Sequence, residues 1–305
     1  IYIWAENVLG YLSASKVAAE ERGADFDALW GADAKHYYVH GKDNIPFHTI
    51  ILPSLLLANG SGWHLPDQIV SSEYLTLEGR KISTSRNYAI WVKDLLEHYE
   101  ADSIRYFFIA NGPEKKDADF SWREYVHSHN GELLGAYGNF VNRSLAFIEK
   151  YWEGIVPEGV DDPTMSRQID GLFVSVGKRI ECGAFKDAID EIFDFIRLAN
   201  RFFDAEQPWV TRSADERACK NTLYQCVQII ANLAALLSPF LPFSSEKVCG
   251  WLGISSRWEK QSVPAGYRLP ETELLFQRID KKQIEIESER LKVVLREEPL
   301  NSGKR

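Results

Sequence analysis

The periodicity of apolar residues changes part-way along the chain. Up to about Asn111, short strand-like runs alternate with helical stretches, an order that predicts βα units and a mainly parallel sheet. From about Val126 onward the strand signals disappear and long runs of helical period follow, separated by Pro and Gly. The predicted strands are residues 1–4, 35–40 and 68–71, and the early helices are 12–22 and 47–58. The later helices are predicted over 132–152, 165–177, 184–205, 214–237 and 244–252.

The predicted fold class is therefore α/β followed by all-α, in more than one domain. A chain of 305 residues is about twice the usual single-domain length. Residues 1–111 form the predicted α/β part, 112–125 a polar connecting segment, and 126–276 a helical domain. Residues 277–305 are predicted to be an amphipathic helix and tail. The apolar positions of this helix favour packing of the helix back across both domains. The alternative is that the helix forms a coiled-coil dimer.

Composition excludes several classes of function. With 35 Lys and Arg against 44 Asp and Glu, the net charge of −9 argues against a sequence-independent nucleic-acid coat. Any contact with nucleic acid must be local. The four cysteines lack C-x-x-C spacing, so neither a zinc site nor a disulfide framework is predicted, and reduced thiols favour the cytoplasm.

The most apolar stretch and the start of the chain each give one further prediction. Residues 223–243 contain polar residues and two prolines, which favours a buried helix over a membrane span. The chain starts inside an apolar run, with a single Met at position 165 and no signal-peptide pattern, and so reads as the rear part of a longer protein.

The first candidate site is the loop of residues 77–87. It has a Gly turn followed by the basic residues Arg80, Lys81 and Arg86 and by three hydroxyls, Ser83, Thr84 and Ser85. Mobile cations and O–H donors suit a polyphosphate, because they can follow charge that moves during a reaction. The alternative is a solvated surface turn.

The second candidate site follows the predicted strand at 35–40. Gly41 and Asp43 come at its carboxyl end, where open α/β sheets bind ligands, so the carboxylate could accept two ribose hydroxyls. His48 would lie on the first turn of the next helix, and the alternative for it is a core histidine.

The third candidate site is at the start of the chain, where a predicted strand runs into a turn containing Gly10. Trp4 and Tyr11 would flank this turn and could wall an apolar pocket, with the phenol as its polar group. Core packing is the alternative.

Taken in order, these segments resemble the methionyl-tRNA synthetases, a family of class I aminoacyl-tRNA synthetases. Residues 2–11 resemble the family's methionine-pocket segment, and residues 41–48 match its G-K-D-N-x-x-F-H motif. Residues 81–85 resemble its K-M-S-K-S loop, and the similarity continues through 101–107 and 119–122. The resemblance implies the second half of a Rossmann-type catalytic domain followed by an α-helical anticodon-binding bundle.

The resemblance also implies roles for the candidate residues. Gly41 and Asp43 would hold the ATP ribose. Lys81 and the hydroxyls of Ser83, Thr84 and Ser85 would bind the ATP phosphates. Trp4, Tyr11 and His48 would line the pocket for the methionine side chain. A thioether is a polarizable, weak acceptor, so aromatic walls with one donor could separate it from leucine.

In the helical part, the family reads the anticodon with an Asn and an Arg one turn apart and a distant Trp. Asn139 and Arg143 are spaced i and i+4 and so share one helix face, while Trp209 follows Pro208 just past another helix. An indole can stack on an unpaired base while amide and guanidinium groups bond its edges. The alternatives are a solvated helix face and a packed core aromatic.

The implied activity is ATP-dependent activation of methionine and its transfer to tRNA(Met). The implied partners are methionine, ATP with Mg²⁺ and tRNA(Met), for a cytoplasmic monomer or homodimer with no membrane contact and no metal site in this chain. The alternative is a tRNA-binding module or a degenerate paralogue without ligase activity. A scaffold that uses the bundle for docking is a third hypothesis.

The sequence departs from the family in three places. The H-I-G-H element is absent, so that half and any zinc-bearing insertion would lie before Ile1, and this chain alone should not form aminoacyl-adenylate. Thr84 replaces the second lysine of the signature loop, which predicts slower activation. In the pocket, Asn7 brings an amide where a small residue is usual, and Leu52 replaces a Trp, which would loosen a wall.

Overall fold

The computed structural model describes residues 3–86 and 88–296. Contacts divide the chain into two compact units: Ile1–Tyr74 with Pro113–Ala118, and Leu75–Gly112 with Asp119–Arg305. This division differs from the predicted boundary at 112–125. Part of that segment belongs with the first unit because Glu73 N donates to Pro113 O (2.7 Å) and Ala118 N donates to Tyr74 O (2.9 Å).

The first unit contains a small parallel sheet and three helices. Strands β1 (Tyr37–Gly41) and β2 (Gln68–Ser72) pair in parallel, as the sequence predicts, with Gly41 opposite Ser72. The helices are α1 (Ile3–Arg22), α2 (Phe26–Trp30) and α3 (Leu52–Asn59), with a 3₁₀ turn at Lys42–Asn44 and a π turn at Phe47–Ile51. Their core is formed by Val8, Trp30, Leu52 and Leu56.

The predicted strand and turn at the start of the chain are wrong for the described residues. Ile3 and Trp4 begin α1, and Gly10 lies inside that helix. Most of the following residues are good helix formers, and extending a helix needs only one residue fixed for each hydrogen bond gained. An interior Gly costs a helix only about 1 kcal/mol relative to Ala, so it does not interrupt α1.

The second unit begins with a short sheet in the order β4-β3-β5 and continues as helices. The strands are β3 (Leu75–Leu77), β4 (Arg80–Lys81) and β5 (Ala118–Phe120). The helices before the bundle are α4 (Val92–His98), α5 (Ala101–Ala110) and α6 (Trp122–Ser128). The predicted connecting segment thus contains a strand and a helix start, because Phe120 and Trp122 are buried and Ser121 caps α6 by accepting from Glu124 N.

The bundle follows the predicted helical periods with three differences, one of which is an unpredicted helix at Pro208–Ala214. Its helices are α7 (Asn139–Trp152), α8 (Pro163–Glu181), α9 (Phe185–Glu206), α10 (Pro208–Ala214), α11 (Glu216–Leu237) and α12 (Pro242–Leu252). A π-helical stretch, His129–Gly138, precedes α7, so the predicted helix at 132–152 is α-helical only from Asn139. The predicted helix at 214–237 is interrupted at Asp215, whose side chain caps α11 by accepting from Ala218 N.

Helix α11 is the centre of the main core and is buried along most of its length, as expected for the most apolar stretch. None of the described helices is both long and apolar enough to cross a membrane.

The last described helix, α13 (Lys282–Arg296), packs against α6. Asn130 fixes its approach, because the amide donates to Ile279 O at 2.8 Å and accepts from Ile279 N at 3.0 Å. The buried Glu287 accepts from the Tyr99 hydroxyl at 3.1 Å. Tyr99 and Asn130 both belong to the second unit, so these contacts lie within that unit, and packing across two domains stays a prediction. Residues 297–305 of the predicted tail lie outside the described residues.

Candidate functional site

His48 and Tyr11 form a hydrogen-bonded pair in the first unit. Nδ1 of His48 lies 2.8 Å from Asn44 O, which can only accept, so Nδ1 carries the hydrogen in the neutral ring. Nε2 is then an acceptor, and the Tyr11 hydroxyl donates to it at 2.9 Å. His48 is only 5% exposed, so this pair fixes the buried imidazole in one tautomer.

Aromatic rings surround this pair. Trp4 stacks on Phe47 with 4.8 Å between centroids, and Tyr38 lies 5.5 Å from Tyr11 and 5.4 Å from His48. Burial, with a smaller effect from Tyr11, raises the pKa of Tyr38 to about 12. Trp4 and Tyr11 remain 42% and 44% exposed, so within this unit they form an accessible surface rather than a sealed core.

The two unusual pocket residues are placed differently from the expectation. Asn7 is exposed on α1, so its amide needs no buried partner. Leu52 is 0% exposed and packs in the core cluster with Val8, Trp30 and Leu56. Leu52 therefore fills the interior of the unit and leaves no loosened wall there.

Gly41 and Asp43 lie at the carboxyl end of β1, as predicted. A Cβ added to Gly41 would meet nothing within 4 Å, and its φ of −72° is open to any residue. The fold therefore does not require glycine at this position, while a ligand that approaches the backbone closely would require it. The Asp43 carboxylate is exposed and accepts from the Tyr74 hydroxyl at 2.7 Å.

Lys42 contacts three side chains near Asp43. Its ammonium group donates to Glu73 and to Asp117 (3.3 Å) and lies 4.0 Å from the ring centre of Tyr74. The hydrogen bond to Glu73, then that to Asp117, raises the pKa of Lys42. The pKa of Asp117 is lowered by hydrogen bonds from Tyr74 N and then Lys42. These contacts hold Tyr74 beside Asp43.

The signature loop of the second unit is presented by a tight hairpin. Glu78 and Gly79 both have positive φ, 48° and 74°, as a two-residue turn between β3 and β4 requires. Asp119 accepts from Gly79 N at 2.8 Å, and Glu78 accepts from Trp122 N at 2.9 Å. The buried Tyr88 closes the loop by donating to Leu77 O at 2.7 Å.

The functional groups of this loop point to solvent. Ser83 and Tyr88 exchange two backbone hydrogen bonds (2.9 and 2.8 Å), and a 3₁₀ turn, Thr84–Arg86, lies between them. Lys81, Thr84 and Ser85 are exposed, and Ser83 is half-buried with its hydroxyl 3.2 Å from that of Ser85. Arg80, Lys81 and Arg86 have no acidic partner within ion-pair distance in residues 3–86 and 88–296. The loop is thus held at its base and carries uncompensated positive charge.

The third set of candidate residues converges on α9. Arg143 donates to Asp204 Oδ1 and to Asn200 O, both at 2.7 Å, and its guanidinium lies 4.2 Å from the ring centre of Phe203. Asn139 donates to Asn200 Oδ1 at 3.5 Å. Trp209, 49% exposed at the start of α10, lies 6.1 Å from the ring of Phe203. Asn139, Arg143 and Trp209 therefore share one surface, which presents an amide, a guanidinium and an indole.

Several residues of these sites were missed from the sequence. Asn200, Phe203 and Asp204 share one face of α9 at i, i+3 and i+4, a spacing that could have identified them once α7 was known to pack there. Tyr74 and Asp117 have no local pattern that signals their contact with residues 42 and 43. Among the described residues, no group of three or more His, Cys, Asp or Glu side chains could hold a metal ion.

Comparison with protein-family models gives the class of the chain. Residues 1–145 match the model of tRNA synthetases class I (M), and residues 162–296 match the anticodon-binding domain of tRNA ligase. The two parts of the fold thus correspond to a class I synthetase followed by its anticodon-binding domain.

Individual relatives identify the family within this class. The chain is 56% identical over 293 residues to a methionine–tRNA ligase of Bacillus anthracis, covering 95% of this chain and 53% of the relative. Methionine–tRNA ligase 1 of Bacillus cereus is also 56% identical, over 292 residues, with the same coverage. The chain belongs to the methionyl family of class I tRNA synthetases, and it spans about half the length of these relatives.

Solved structures agree with this family. Methionyl-tRNA synthetase of Mycobacterium tuberculosis bound by methionyl-adenylate matches 90% of this chain and 56% of its own, with a TM-score of 0.80 and 26% identity. The apo form of that synthetase matches 92% of this chain, with a TM-score of 0.78 and 25% identity.

Proposed function

We propose that this chain contributes the signature loop and the anticodon-binding domain of a methionine–tRNA ligase, which activates methionine with ATP and transfers it to tRNA(Met). The observation that carries this proposal is the Tyr11–His48 pair, which is surrounded by aromatic rings and is bonded through His48 to Asn44 O, the residue after Asp43 in the turn that follows β1. A polar pair among aromatic walls suits a polarizable thioether, and the end of a parallel strand suits a nucleotide.

The pair also explains how methionine would be told from leucine. Without ligand, the Tyr11 hydroxyl gives its hydrogen to His48 Nε2. When methionine enters, the hydroxyl hydrogen would be shared between Nε2 and the sulfur, a second contact that a leucine methyl group cannot accept. Apolar shape alone separates such side chains by only about 1–3 kcal/mol, so this donor matters for selectivity.

Two sets of residues would contact ATP, those after β1 and those of the signature loop. Asp43 would accept ribose hydroxyls, and Gly41 would let the nucleotide approach the backbone. Lys81 and the hydroxyls of Ser83, Thr84 and Ser85 would stabilise the charge that develops on pyrophosphate as the methionine carboxylate attacks the α-phosphorus. This displacement depends on positioning and charge stabilisation, so no general acid–base pair is needed. Mg²⁺ would arrive with ATP as part of the substrate.

The tRNA would be read by Asn139, Arg143 and Trp209. The exposed indole offers a stacking surface, while the amide and guanidinium groups offer edge contacts. Local reading by three residues is compatible with a net charge of −9, because it does not require a broad basic surface. Cys219, Cys226 and Cys249 are buried thiols without disulfides, which supports a cytoplasmic enzyme.

Amino-acid-dependent exchange of ATP with pyrophosphate tests the proposal, using the longest natural form of the protein. We expect exchange with methionine and none with leucine or other amino acids. Tyr11→Phe should raise the KM for methionine and reduce the preference over leucine, whereas the exposed Tyr37→Phe control should not. Exchange with a different amino acid would show that the enzyme activates that amino acid instead of methionine. Absence of exchange would indicate a tRNA-binding module without ligase activity.

A further inference from the structure

A second cluster of aromatic and basic side chains adjoins the Asn139, Arg143 and Trp209 surface. Arg143, Phe147 and Tyr151 are spaced i, i+4 and i+8 on α7 and so lie along one side of that helix. Trp209 and Arg212 are spaced i and i+3 on α10. The guanidinium of Arg212 lies 4.3 Å from the ring centre of Tyr151, which joins the two helices at this end.

The Arg212 guanidinium is therefore supported by an aromatic ring. Tyr151 is itself braced by Phe147, with 4.6 Å between ring centroids, and remains 37% exposed. Lys150 adds a second cation 5.1 Å from the centre of the same ring. A guanidinium stacked on a ring loses less freedom when it binds a planar partner, since its orientation is already restricted.

The charges of this cluster are uncompensated, unlike most of those nearby. Arg143, Arg197 and Lys220 each pair with a carboxylate at 2.6 to 2.8 Å. Arg212 and Lys150 are exposed, and neither has an acidic partner within ion-pair distance in the described part of the chain. In a chain with net charge −9, two unpaired cations on one ring favour an anionic partner.

We propose that Lys150, Tyr151 and Arg212 form a second RNA subsite that binds the backbone and one unpaired base of the same tRNA loop, beyond the bases read by Asn139, Arg143 and Trp209. The outer face of the Arg212 guanidinium stacks on the base while its N–H groups and Lys150 bond phosphate oxygens. Because phosphate contacts carry no base information, this subsite adds affinity without specificity. The inference rests on the proposed reading of tRNA.

The test measures binding of an RNA hairpin with the anticodon stem and loop of tRNA(Met), and of the same hairpin with all three anticodon bases replaced. Arg212→Gln is compared with Arg257→Gln, which removes the same charge from an exposed position after α12. We expect Arg212→Gln to weaken binding of both hairpins by the same factor, about tenfold, and Arg257→Gln to change it less than twofold. The salt dependence, as the slope of log K against log salt, should fall by about 0.7 for each phosphate that the variant no longer neutralises.

Two further variants separate stacking from charge and from folding. Tyr151→Phe keeps the ring and should bind like the wild type, whereas Tyr151→Leu removes the support of Arg212 and should weaken both hairpins. Thermal unfolding of each variant, followed by circular dichroism, confirms that it is folded.

The possible outcomes distinguish this inference from the proposed function. If Asn139→Ala lowers binding of the tRNA(Met) hairpin alone, while Arg212→Gln matches Arg257→Gln, the second subsite is refuted and anticodon reading stands. If neither hairpin binds the wild-type chain, the proposed tRNA function fails and the subsite with it. Loss of binding to only the tRNA(Met) hairpin in Arg212→Gln would also overturn the subsite, since it would indicate base reading.

Discussion

The Tyr74 hydroxyl donates a hydrogen bond of 2.7 Å to Oδ1 of Asp43, the carboxylate proposed to hold the ATP ribose. This bond raises the pKa of Tyr74 and fixes the orientation of the carboxylate. Tyr74→Phe should therefore raise the KM for ATP by about threefold to tenfold, the effect of losing one charge-assisted bond at a partly exposed site. Exchange kinetics at varied ATP measure this, and the KM for methionine should not change. An equal effect of Tyr37→Phe would show that the hydrogen bond to Asp43 is not the cause.

Gly41 provides a second test of the nucleotide site. Because an added Cβ would meet no atom within 4 Å, Gly41→Ala should leave the melting temperature unchanged. A ligand lying against this backbone would meet the new methyl group, so the KM for ATP should rise about tenfold. Gly171→Ala on α8, where the space is also open, is the matched control: it should stabilise the helix and leave exchange unaffected. An unchanged KM in Gly41→Ala would exclude close approach of ATP here.

Much of the proposed nucleotide site could be predicted from the sequence, because its position depends on local patterns. A strand-like run followed by Gly41 and Asp43 places both residues at a carboxyl end, whichever strand lies alongside. Tyr74 could not be found in this way, since its contact with Asp43 depends on how two strands and their loops meet. The start of the chain was mispredicted for a related reason: a short apolar run fits helix or strand, and the helix formers after Trp4 decided the outcome.

The surface formed by Asn139, Arg143 and Trp209 was also predictable only in part. The i, i+4 spacing of Asn139 and Arg143 predicts a shared helix face, and the structure confirms it. That Arg143 faces Asp204 and Asn200 depends on the packing of α7 against α9, which no single helical period encodes.

Thr84 is the position where a cation should increase activity. It is exposed in the 3₁₀ turn of the signature loop, so Thr84→Lys should not disturb the fold. A lysine there would place charge where pyrophosphate leaves, and we expect the maximal rate of exchange to rise about threefold to tenfold. Thr84→Ser keeps only the hydroxyl and should change the rate less than twofold. A Thr84→Lys rate equal to that of the wild type would indicate that Arg80 or Arg86 already supplies the charge.

His129 should make the second unit less stable in weak acid. It is 3% exposed, donates from Nε2 to Gln277 O (2.7 Å) and accepts at Nδ1 from the Ser103 hydroxyl (2.8 Å). Burial lowers its pKa below the usual 6.5, so the unfolded chain binds a proton before the folded one does. Stability should therefore fall as the pH drops below about 6.5, by up to about 1.4 kcal/mol per pH unit, until the folded-state pKa is reached.

Urea unfolding at pH 7.5, 6.5 and 5.5 checks this prediction, with His129→Gln as the comparison. The glutamine variant cannot be protonated, so its disadvantage relative to the wild type should shrink as the pH falls. A difference in unfolding free energy that stays constant over this range would contradict the assignment of a neutral, buried His129.

Trp209 should contribute stacking without contributing to the fold. Its ring is 49% exposed and lies beside Phe203, so Trp209→Ala should change the unfolding free energy little. Loss of a base–aromatic stack should weaken binding of the tRNA(Met) hairpin by about tenfold, while Trp209→Phe retains part of it. Fluorescence titration with this hairpin and with one of altered anticodon measures the effect. Trp209 lies with Arg143 on the surface proposed to read bases, so Trp209→Ala should weaken binding of the tRNA(Met) hairpin more than binding of the altered one. Arg212→Gln, by contrast, is expected to weaken binding of both hairpins equally. Equal losses for the two hairpins would assign Trp209 to non-specific RNA contact instead.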